Sequence, residues 1–334
     1  MVLQKHKQEQ RITSEAKLRT IIPAYPKILD KRILPELDKH CLELIAFSKL
    51  IVSAYSDSTI PMGLLSSKDV VIVDSKTISL PLNCCDISPR EGTYASLYFL
   101  VPGVGHGLRV NGEFQLHEGC LALKIKSTYL HCARAAARSD LWNNSERLSS
   151  AVDNQLMSPK QFISASPFLL MKTMNEECET ELSPRGDSSG FVQVIDQQQL
   201  FIPERPGNKV AVSARNILKN EAVELLMLVP GSDIVMNVHG NATLTDNAQL
   251  LDFAIVNNKR PKLGILIEQC RFSLAHCSAI EQTQFWLSET HVNPDRLTRF
   301  SKALSAHMNG EGILGKAATP FIGAIVKNDM KNLY

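Results

Sequence analysis

Short apolar runs rich in β-branched and aromatic residues recur along the chain, and Gly, Pro, Asn or Asp interrupts them at close intervals. Clear examples are residues 50–55, 70–73, 96–101 and 191–195. Alternating βαβ units would place long helical stretches between such runs. The pattern therefore predicts antiparallel strands of a small barrel with helices beside it.

A helical face is predicted where Leu34, Leu37, Cys41, Leu44 and Phe47 recur at steps of three and four residues, with a proline near the start. Two further helices are predicted over 131–142 and 270–286. The polar, serine-rich stretch 143–161 predicts a linker. The last residues of the sequence predict a helix followed by a loose tail.

One pattern occurs twice. Residues 97–116 and 225–244 align without a gap and share eight of their twenty residues, including the run Leu-Val-Pro-Gly. Upstream, Ile-Val-Asp at 72–74 matches Val-Ile-Asp at 194–196. Downstream, His131-Cys132 and Trp142 recur as His276-Cys277 and Trp286. Because these blocks keep the same order, the chain is interpreted as a tandem duplication.

The repeat predicts four segments. Residues 1–144 hold the N-terminal helices and the first barrel module, 145–161 the linker, 162–290 the second module, and 291–334 a helix and tail. A barrel of about six strands has no room inside for a large ligand. A ligand site is therefore expected outside the barrels, between two modules that pack as an internal dimer.

Composition excludes several classes of protein. The 334 residues include 36 basic and 34 acidic side chains, which are interspersed, so no nucleic-acid partner is predicted. No apolar stretch approaches a membrane span or a signal peptide, and eight cysteines without a CxxC motif favour the cytoplasm. The spacing of His117, Cys120, His131 and Cys132 matches no standard metal template, and no metal site is predicted.

Candidate chemistry lies in the second copy, where two predicted strands end in turns that present Arg185, Arg205, Asn208 and Lys209. A Pro-Gly pair at 206–207 forces a tight turn whose amides can join these cations around an anion. A predicted helix over 209–220 would add donors. The alternative is an ordinary surface turn with solvated charges.

Several strings of the second copy appear in one family. SPRGD, F-V-x-V-x-D, IPERPGNK, NIL and LVPG resemble, in this order, the pyridoxamine 5′-phosphate oxidase-related family of FMN-binding split barrels. HCARAAARSDLW at 131–142 and PKLGILIE at 261–268 resemble one bacterial branch of it. The resemblance covers about 12–286 in two passes. It implies two split-barrel modules, mainly β with helices, and FMN covered partly by the other subunit of a dimer.

The resemblance also implies which residues hold FMN. In the second copy they are Ser183, Pro184, Arg185, Arg205, Asn208, Lys209, Ser213 and Asn216. The first copy has LPLNCCDISPREG in place of IPERPGNK, whereas the second has lost the basic residues of the closing helix. One composite flavin site is therefore expected, with the first copy contributing Arg109, Arg134, Arg138, Ser139 and Trp142. The alternative is neutral decay of a defunct duplicate.

Three functions remain open at this point. The first is an FMN-dependent oxidoreductase with a small-molecule substrate or electron donor that the sequence does not identify, and with no catalytic residue assigned. The second is a protein that binds flavin or another anionic cofactor without turnover. The third is a haem-binding split barrel, with His131, His276 or His307 as ligand. The chain could act as a monomer or as a homodimer.

Overall fold

A computed structural model describes residues 10–80, 89–118, 120–143, 157–207 and 209–334. The first module has strands β2 (Leu50–Tyr55), β3 (Gly63–Ser66), β4 (Val71–Asp74), β5 (Thr77–Ser79), β6 (Tyr94–Leu100), β7 (Gly107–His117) and β8 (Cys120–His131). The second has β9 (Phe168–Met174), β10 (Thr180–Gly186), β11 (Gln193–Asp196), β12 (Gln199–Pro203), β13 (Ala222–Leu228), β14 (Ile234–Thr245) and β15 (Gly264–His276). A short strand, β1 (Arg11–Ile12), pairs with β14.

The helices are short except at the end of the sequence. In chain order they are α1 (Glu15–Ile21), α2 (Lys39–Phe47), α3 (Arg134–Arg138), α4 (Pro159–Ala165), α5 (Val212–Ile217), α6 (Ala248–Asp252), α7 (Ser278–Thr283), α8 (Phe300–Asn309) and α9 (Ile313–Lys331). Short 3₁₀ turns occupy Lys27–Arg32, Ser67–Asp69, Ser288–Thr290 and Pro294–Arg296. No helix in the described ranges is long and apolar enough to cross a membrane.

The two sheets repeat one topology. The first has the strand order β3-β2-β6-β7-β8-β5-β4, and the second has β10-β9-β13-β14-β15-β12-β11. Each strand of the second sheet stands where the strand seven places earlier stands in the first. The predicted pair of small β-barrel modules with flanking helices is thereby confirmed.

Apolar packing holds the modules together. Each barrel has its own core, centred on residues such as Phe99 and Phe114 in the first and Met171 and Ile265 in the second. A third core is shared, and it joins Leu50, Val52 and Leu100 to Leu170, Leu226 and Leu228, together with the aromatic residues Phe285 and Trp286. Burial of this apolar surface stabilises the intrachain pair that the repeat predicted.

Equivalent residues of the two modules form hydrogen bonds across the interface. Arg109 Nη1 donates to the carbonyl of Leu182 at 3.0 Å, and Asn237 Nδ2 donates to the carbonyl of Met62 at 3.2 Å. Arg109 pairs with Tyr98 in the first sheet as Asn237 pairs with Leu226 in the second, so the two side chains occupy equivalent positions. The modules are thus related by an approximate two-fold arrangement.

The predicted closing helices are wrong in their extent. β8 continues to His131 and β15 to His276, because each strand keeps its ladder with the preceding long strand to that point. Only Arg134–Arg138 and Ser278–Thr283 are helical after them. The helix predicted from Leu34 begins only at Lys39, since the Asp38 side chain caps it by accepting from the Cys41 amide at 2.8 Å.

The end of the sequence also differs from the prediction. In place of a loose tail, α9 runs for 19 residues and contains Pro320. It packs back on α8, with Gly315 beside Ser305 and Gly323 beside Ser301. The predicted linker falls largely on residues 144–156, which lie outside the described ranges. Its last part forms α4, whose capping box joins Ser158 and Gln161.

Candidate functional site

A pocket of about 900 Å³ lies where the two modules meet. The first module supplies its walls from β7, β8, α3 and residues 21–33. The second supplies β10, the turn after β12, α5 and residues 259–263. Both modules therefore contribute walls to one pocket.

Most of the residues predicted to hold a cofactor line this pocket. They are Ser183, Pro184, Arg185, Arg205, Lys209, Ser213 and Asn216 from the second module and Arg109, Arg134 and Arg138 from the first. Asn208 lies outside the described residues. Ser139 and Trp142 do not line the pocket. The Ser139 hydroxyl is buried and donates to the carbonyls of Ala135 and Ala136 in its own helix.

Trp142 has a structural position that its counterpart repeats. Its indole Nε1 donates to the carbonyl of Val104 at 2.9 Å, and Trp286 Nε1 donates to that of Ser232 at 2.8 Å. Val104 and Ser232 each follow the Leu-Val-Pro-Gly run of their module. The two indole rings lie 5.9 Å apart. The pair therefore anchors both Leu-Val-Pro-Gly turns at the interface.

Arginines from both modules meet at the turn after β12. Arg185 pairs with Glu204, and Arg205 pairs with Asp187, each at 2.5 Å. From the first module, Arg138 Nη2 donates to the carbonyl of Pro206 at 2.5 Å, and Arg134 Nη1 donates to it at 3.3 Å. Burial, and then the neighbouring Arg134, lowers the pKa of Arg138 to about 10. The other module thus holds the predicted phosphate turn in place.

The segment Asp329 to Tyr334 contacts the same arginines. Asp329 Oδ1 lies 2.8 Å from Arg134 Nη2, and the carbonyl of Leu333 accepts from Arg138 Nε at 2.7 Å. The Tyr334 hydroxyl donates to Asp187 at 2.6 Å, and its ring centroid lies 5.2 Å from the Arg205 guanidinium. Burial, and then the bond to Asp187, raises the pKa of Tyr334 to about 12. No sequence motif indicated this contact, which depends on the path of α9.

A second group of side chains lies around Tyr129. The guanidinium carbons of Arg32 and Arg109 each lie 5.2 Å from its ring centroid, and the His131 ring lies 4.8 Å from it. Backbone pairing of Leu34 with Thr128 brings Arg32 there. Burial, and then Arg109 and Arg32, holds the pKa of His131 well below its ordinary value. Burial therefore favours the neutral form of His131.

The apparent repetition of His131 by His276 is wrong. His131 pairs with Gly107, and in the second sheet the equivalent pair is Ala275 with Val235. A shift of one residue along a strand moves a side chain to the other face. His276 is accordingly half-exposed and lies 3.1 Å from Asp233, outside the pocket. Only His131 of this pair can contact a ligand in the pocket.

Charge in the pocket favours an anion. Its lining residues include twelve lysines and arginines but six aspartates and glutamates. The Nε atoms of Arg109 and Arg185, together with His131 Nε2, are buried and have no hydrogen-bond partner among the described residues. Apolar side chains such as Ile22, Leu29 and Phe191 share the walls. This combination fits a ligand with an anionic group and an apolar body.

His307 lies elsewhere. Its Nε2 is 3.0 Å from Asp38 Oδ2, and ligand-type atoms of Asp38, Cys41 and His307 lie within 4.8 Å of one another. Burial is the largest single effect on the pKa of Asp38 and raises it. The interactions with His307 and with Cys41 together outweigh burial and hold this pKa well below its ordinary value. Among the three histidines considered for haem, only His131 lines the pocket.

No protein-family model matches the chain, and no curated protein matches it either. Solved structures similar to it include HupZ from Group A Streptococcus, at 12% identity over 36% of this chain and 95% of that one, with a TM-score of 0.31. A candidate pyridoxamine 5′-phosphate oxidase from Lactobacillus delbrueckii has 14% identity over 36% and 97%, with a TM-score of 0.28. The heme storage protein HutZ from Vibrio cholerae has 13% identity over 35% and 90%, with a TM-score of 0.26. Identities and TM-scores of this size assign neither a ligand nor an activity to this chain.

Proposed function

We propose that the chain is a flavoprotein of the pyridoxamine 5′-phosphate oxidase-related split-barrel family, with one FMN per chain in the pocket between its modules, acting on a small molecule as an oxidoreductase. The observation that carries this proposal is the composite pocket. Cations predicted separately from each copy line the same cavity and meet at the turn after β12.

The chain's own residues have distinct roles in this proposal. Arg185, Arg205 and Lys209 would hold the phosphate, since an arginine fork bonds two oxygens and a lysine adds a point charge. Arg134 and Arg138 would hold the turn through the carbonyl of Pro206. When bound, the flavin would supply hydride and electron transfer. Arg109, whose charge Glu181 balances, would donate through its unpartnered Nε at the other end of the pocket, and the apolar wall would exclude water.

A single site per chain follows from what the symmetry-related position between the modules lacks. Leu65 pairs with Ile51 in the first sheet as Arg185 pairs with Leu169 in the second, so a leucine stands where the pocket has an arginine. Asn237 likewise stands at the position of Arg109. The symmetry-related position therefore lacks two of the cations that would bind an anion.

The test is an FMN titration followed by desalting and a visible spectrum. We expect one retained FMN per chain, and a dissociation constant at least about tenfold weaker in an Arg205→Lys, Lys209→Ala variant, which loses one arginine fork and one cation. Lysine is chosen at 205 because the buried Asp187 then keeps a positive partner. The matched control is Arg11→Lys, which alters an arginine–carboxylate pair, with Glu268, outside the pocket.

Each other outcome changes the conclusion. Two retained FMN per chain would contradict the single composite site. A retained flavin that no reductant or substrate bleaches would favour a carrier over an enzyme. Absence of any retained flavin would overturn the proposal, and a haem absorption band lost in His131→Ala would then support the haem alternative.

A further inference from the structure

We propose that Arg32 and His131 form a second anion subsite, at the Tyr129 end of the pocket, which binds the carboxylate of a small substrate with an apolar body. This inference deepens the proposed function, because it names the substrate class of the same pocket. Separate titrations of benzoate and FMN distinguish a failure of this subsite from a failure of the flavin site.

Arg32 is a largely buried arginine with no carboxylate partner among the described residues. Its residue is 9% exposed, and its Nε donates to the carbonyl of Leu29 at 2.9 Å. No carboxylate of the described residues forms an ion pair with it, whereas Arg109, Arg134, Arg185 and Arg205 in the same pocket each have one. Arg138 has no such ion pair either, but the carbonyls of Pro206 and Leu333 accept from its guanidinium. Buried charges are ordinarily paired. The free end of this guanidinium is therefore available to an anion from outside the protein.

His131 supplies a second free polar group at the same place. Its Nε2 is buried and has no hydrogen-bond partner among the described residues. Both Arg32 and His131 contact the Tyr129 ring, so the two groups lie on one aromatic side chain. A neutral imidazole that carries its proton on Nε2 donates one hydrogen bond from that atom. Arg109 beside them is already engaged by Glu181 and the carbonyl of Leu182.

The chemistry of the subsite favours a carboxylate over a phosphate. One unpaired guanidinium fork matches the two oxygens of a carboxylate, whereas the other end of the pocket offers several cations suited to a phosphate. Leu29, Ile33 and the Tyr129 ring line the pocket beside Arg32 and would pack against an apolar body. An aromatic or branched aliphatic carboxylic acid is the ligand class that these groups recognise.

The probe is benzoate, titrated calorimetrically into the full chain with and without FMN, at constant ionic strength set by chloride. We expect saturable binding in both states that weakens roughly ten- to a hundredfold in Arg32→Gln, with FMN affinity changed less than about twofold. Inorganic phosphate should not displace benzoate from the subsite at Arg32. The matched control is Arg296→Gln, because the Arg296 guanidinium also lies over an aromatic ring, that of Phe47 at 4.9 Å, but outside the pocket.

Several results would overturn the subsite. Benzoate that binds Arg32→Gln as tightly as the wild type, or that does not bind the wild type at all, rejects it even if FMN binds. Saturable, Arg32-dependent benzoate binding without any FMN binding keeps the subsite and rejects the flavin. Arg32→Lys, which keeps the charge but loses the fork, provides the same test if the glutamine variant does not fold, and it should weaken binding about tenfold. A His131→Gln variant should weaken it by a smaller factor.

Discussion

At the scale of single residues, the paired tryptophans are expected to matter for stability and not for ligand binding. Trp142→Phe removes the indole donor to the carbonyl of Val104 and leaves that carbonyl without its partner. We expect a loss of about 1–3 kcal/mol in the free energy of unfolding. FMN affinity should stay unchanged, because Trp142 does not line the pocket. Urea unfolding and an FMN titration measure the two quantities, and a weakened FMN affinity at unchanged stability would contradict this structural role.

His106 is expected to make the protein less stable in mild acid. Burial lowers its pKa to about 4, against the opposing effect of Glu43. Below pH 6.5 His106 binds a proton in the unfolded chain but stays neutral in the folded chain. The free energy of unfolding therefore decreases as the pH falls from 7 toward 4. Between pH 7 and pH 5 this amounts to about 2 kcal/mol.

Urea unfolding at pH 7 and pH 5 measures this loss, which His106→Gln should reduce by about that amount. The control, His276→Gln, removes a half-exposed imidazole and leaves His106 in place. An equal loss in the wild type and in His106→Gln would show that His106 is not the group responsible. His131, whose pKa burial also lowers, adds to the loss with the same sign.

At the scale of elements, Gly186 sets the distance between β10 of the second module and α3 of the first. A Cβ there would stand 2.2 Å from the carbonyl oxygen of Ala135. Gly186→Ala must therefore push apart the two walls of the pocket, at a cost of about 1–3 kcal/mol. FMN affinity should fall several-fold. Gly63→Ala is the control, because Gly63 does not line the pocket and a Cβ there would meet only the Ser53 hydroxyl oxygen, at an ordinary 3.6 Å. Equal behaviour of both variants would show that the close approach is unimportant.

How much the sequence could predict depends on how local each feature is. The strands and the two modules followed from apolar runs and from the repeated Leu-Val-Pro-Gly blocks, which are contiguous. The turn with Arg205 and Lys209 could be predicted for the same reason. The strand register that distinguishes His131 from His276 could not be predicted, because a shift of one residue leaves the sequence pattern almost unchanged. Arg32 and Tyr334 reach the pocket through backbone pairing at Leu34 and through the path of α9, which no local pattern encodes.

At the scale of the whole molecule, the two modules keep the same frame but have different surfaces. The frame requires the shared core and the equivalent bonds of Arg109 and Asn237 across the interface. The pocket uses Arg185 of one module and Arg109 of the other. Leu65 and Asn237, which stand at the symmetry-related positions, lie outside it and leave it intact. An intrachain pair can therefore lose one of two equivalent sites, whereas two identical chains would lose both together.

The segment from Asp329 to Tyr334 contacts the arginines of the pocket and so joins distant parts of the sequence. Asp329 neutralises Arg134, which helps hold the turn after β12, and Tyr334 lies over Arg205. If the segment and an anionic ligand share these cations, Asp329→Asn should raise FMN affinity about two- to fivefold, the effect of one partly exposed ion pair.

The control for this variant is Glu311→Gln, which removes an exposed ion pair with Lys39 away from the pocket. Fluorescence titration of FMN measures both variants at low and high salt. Because screening weakens exposed pairs, the gain from Asp329→Asn should shrink as salt is raised. A reduced affinity in Asp329→Asn would instead mean that the segment helps to build the site, and that Arg134 needs its carboxylate to hold the turn in the ligand-binding arrangement.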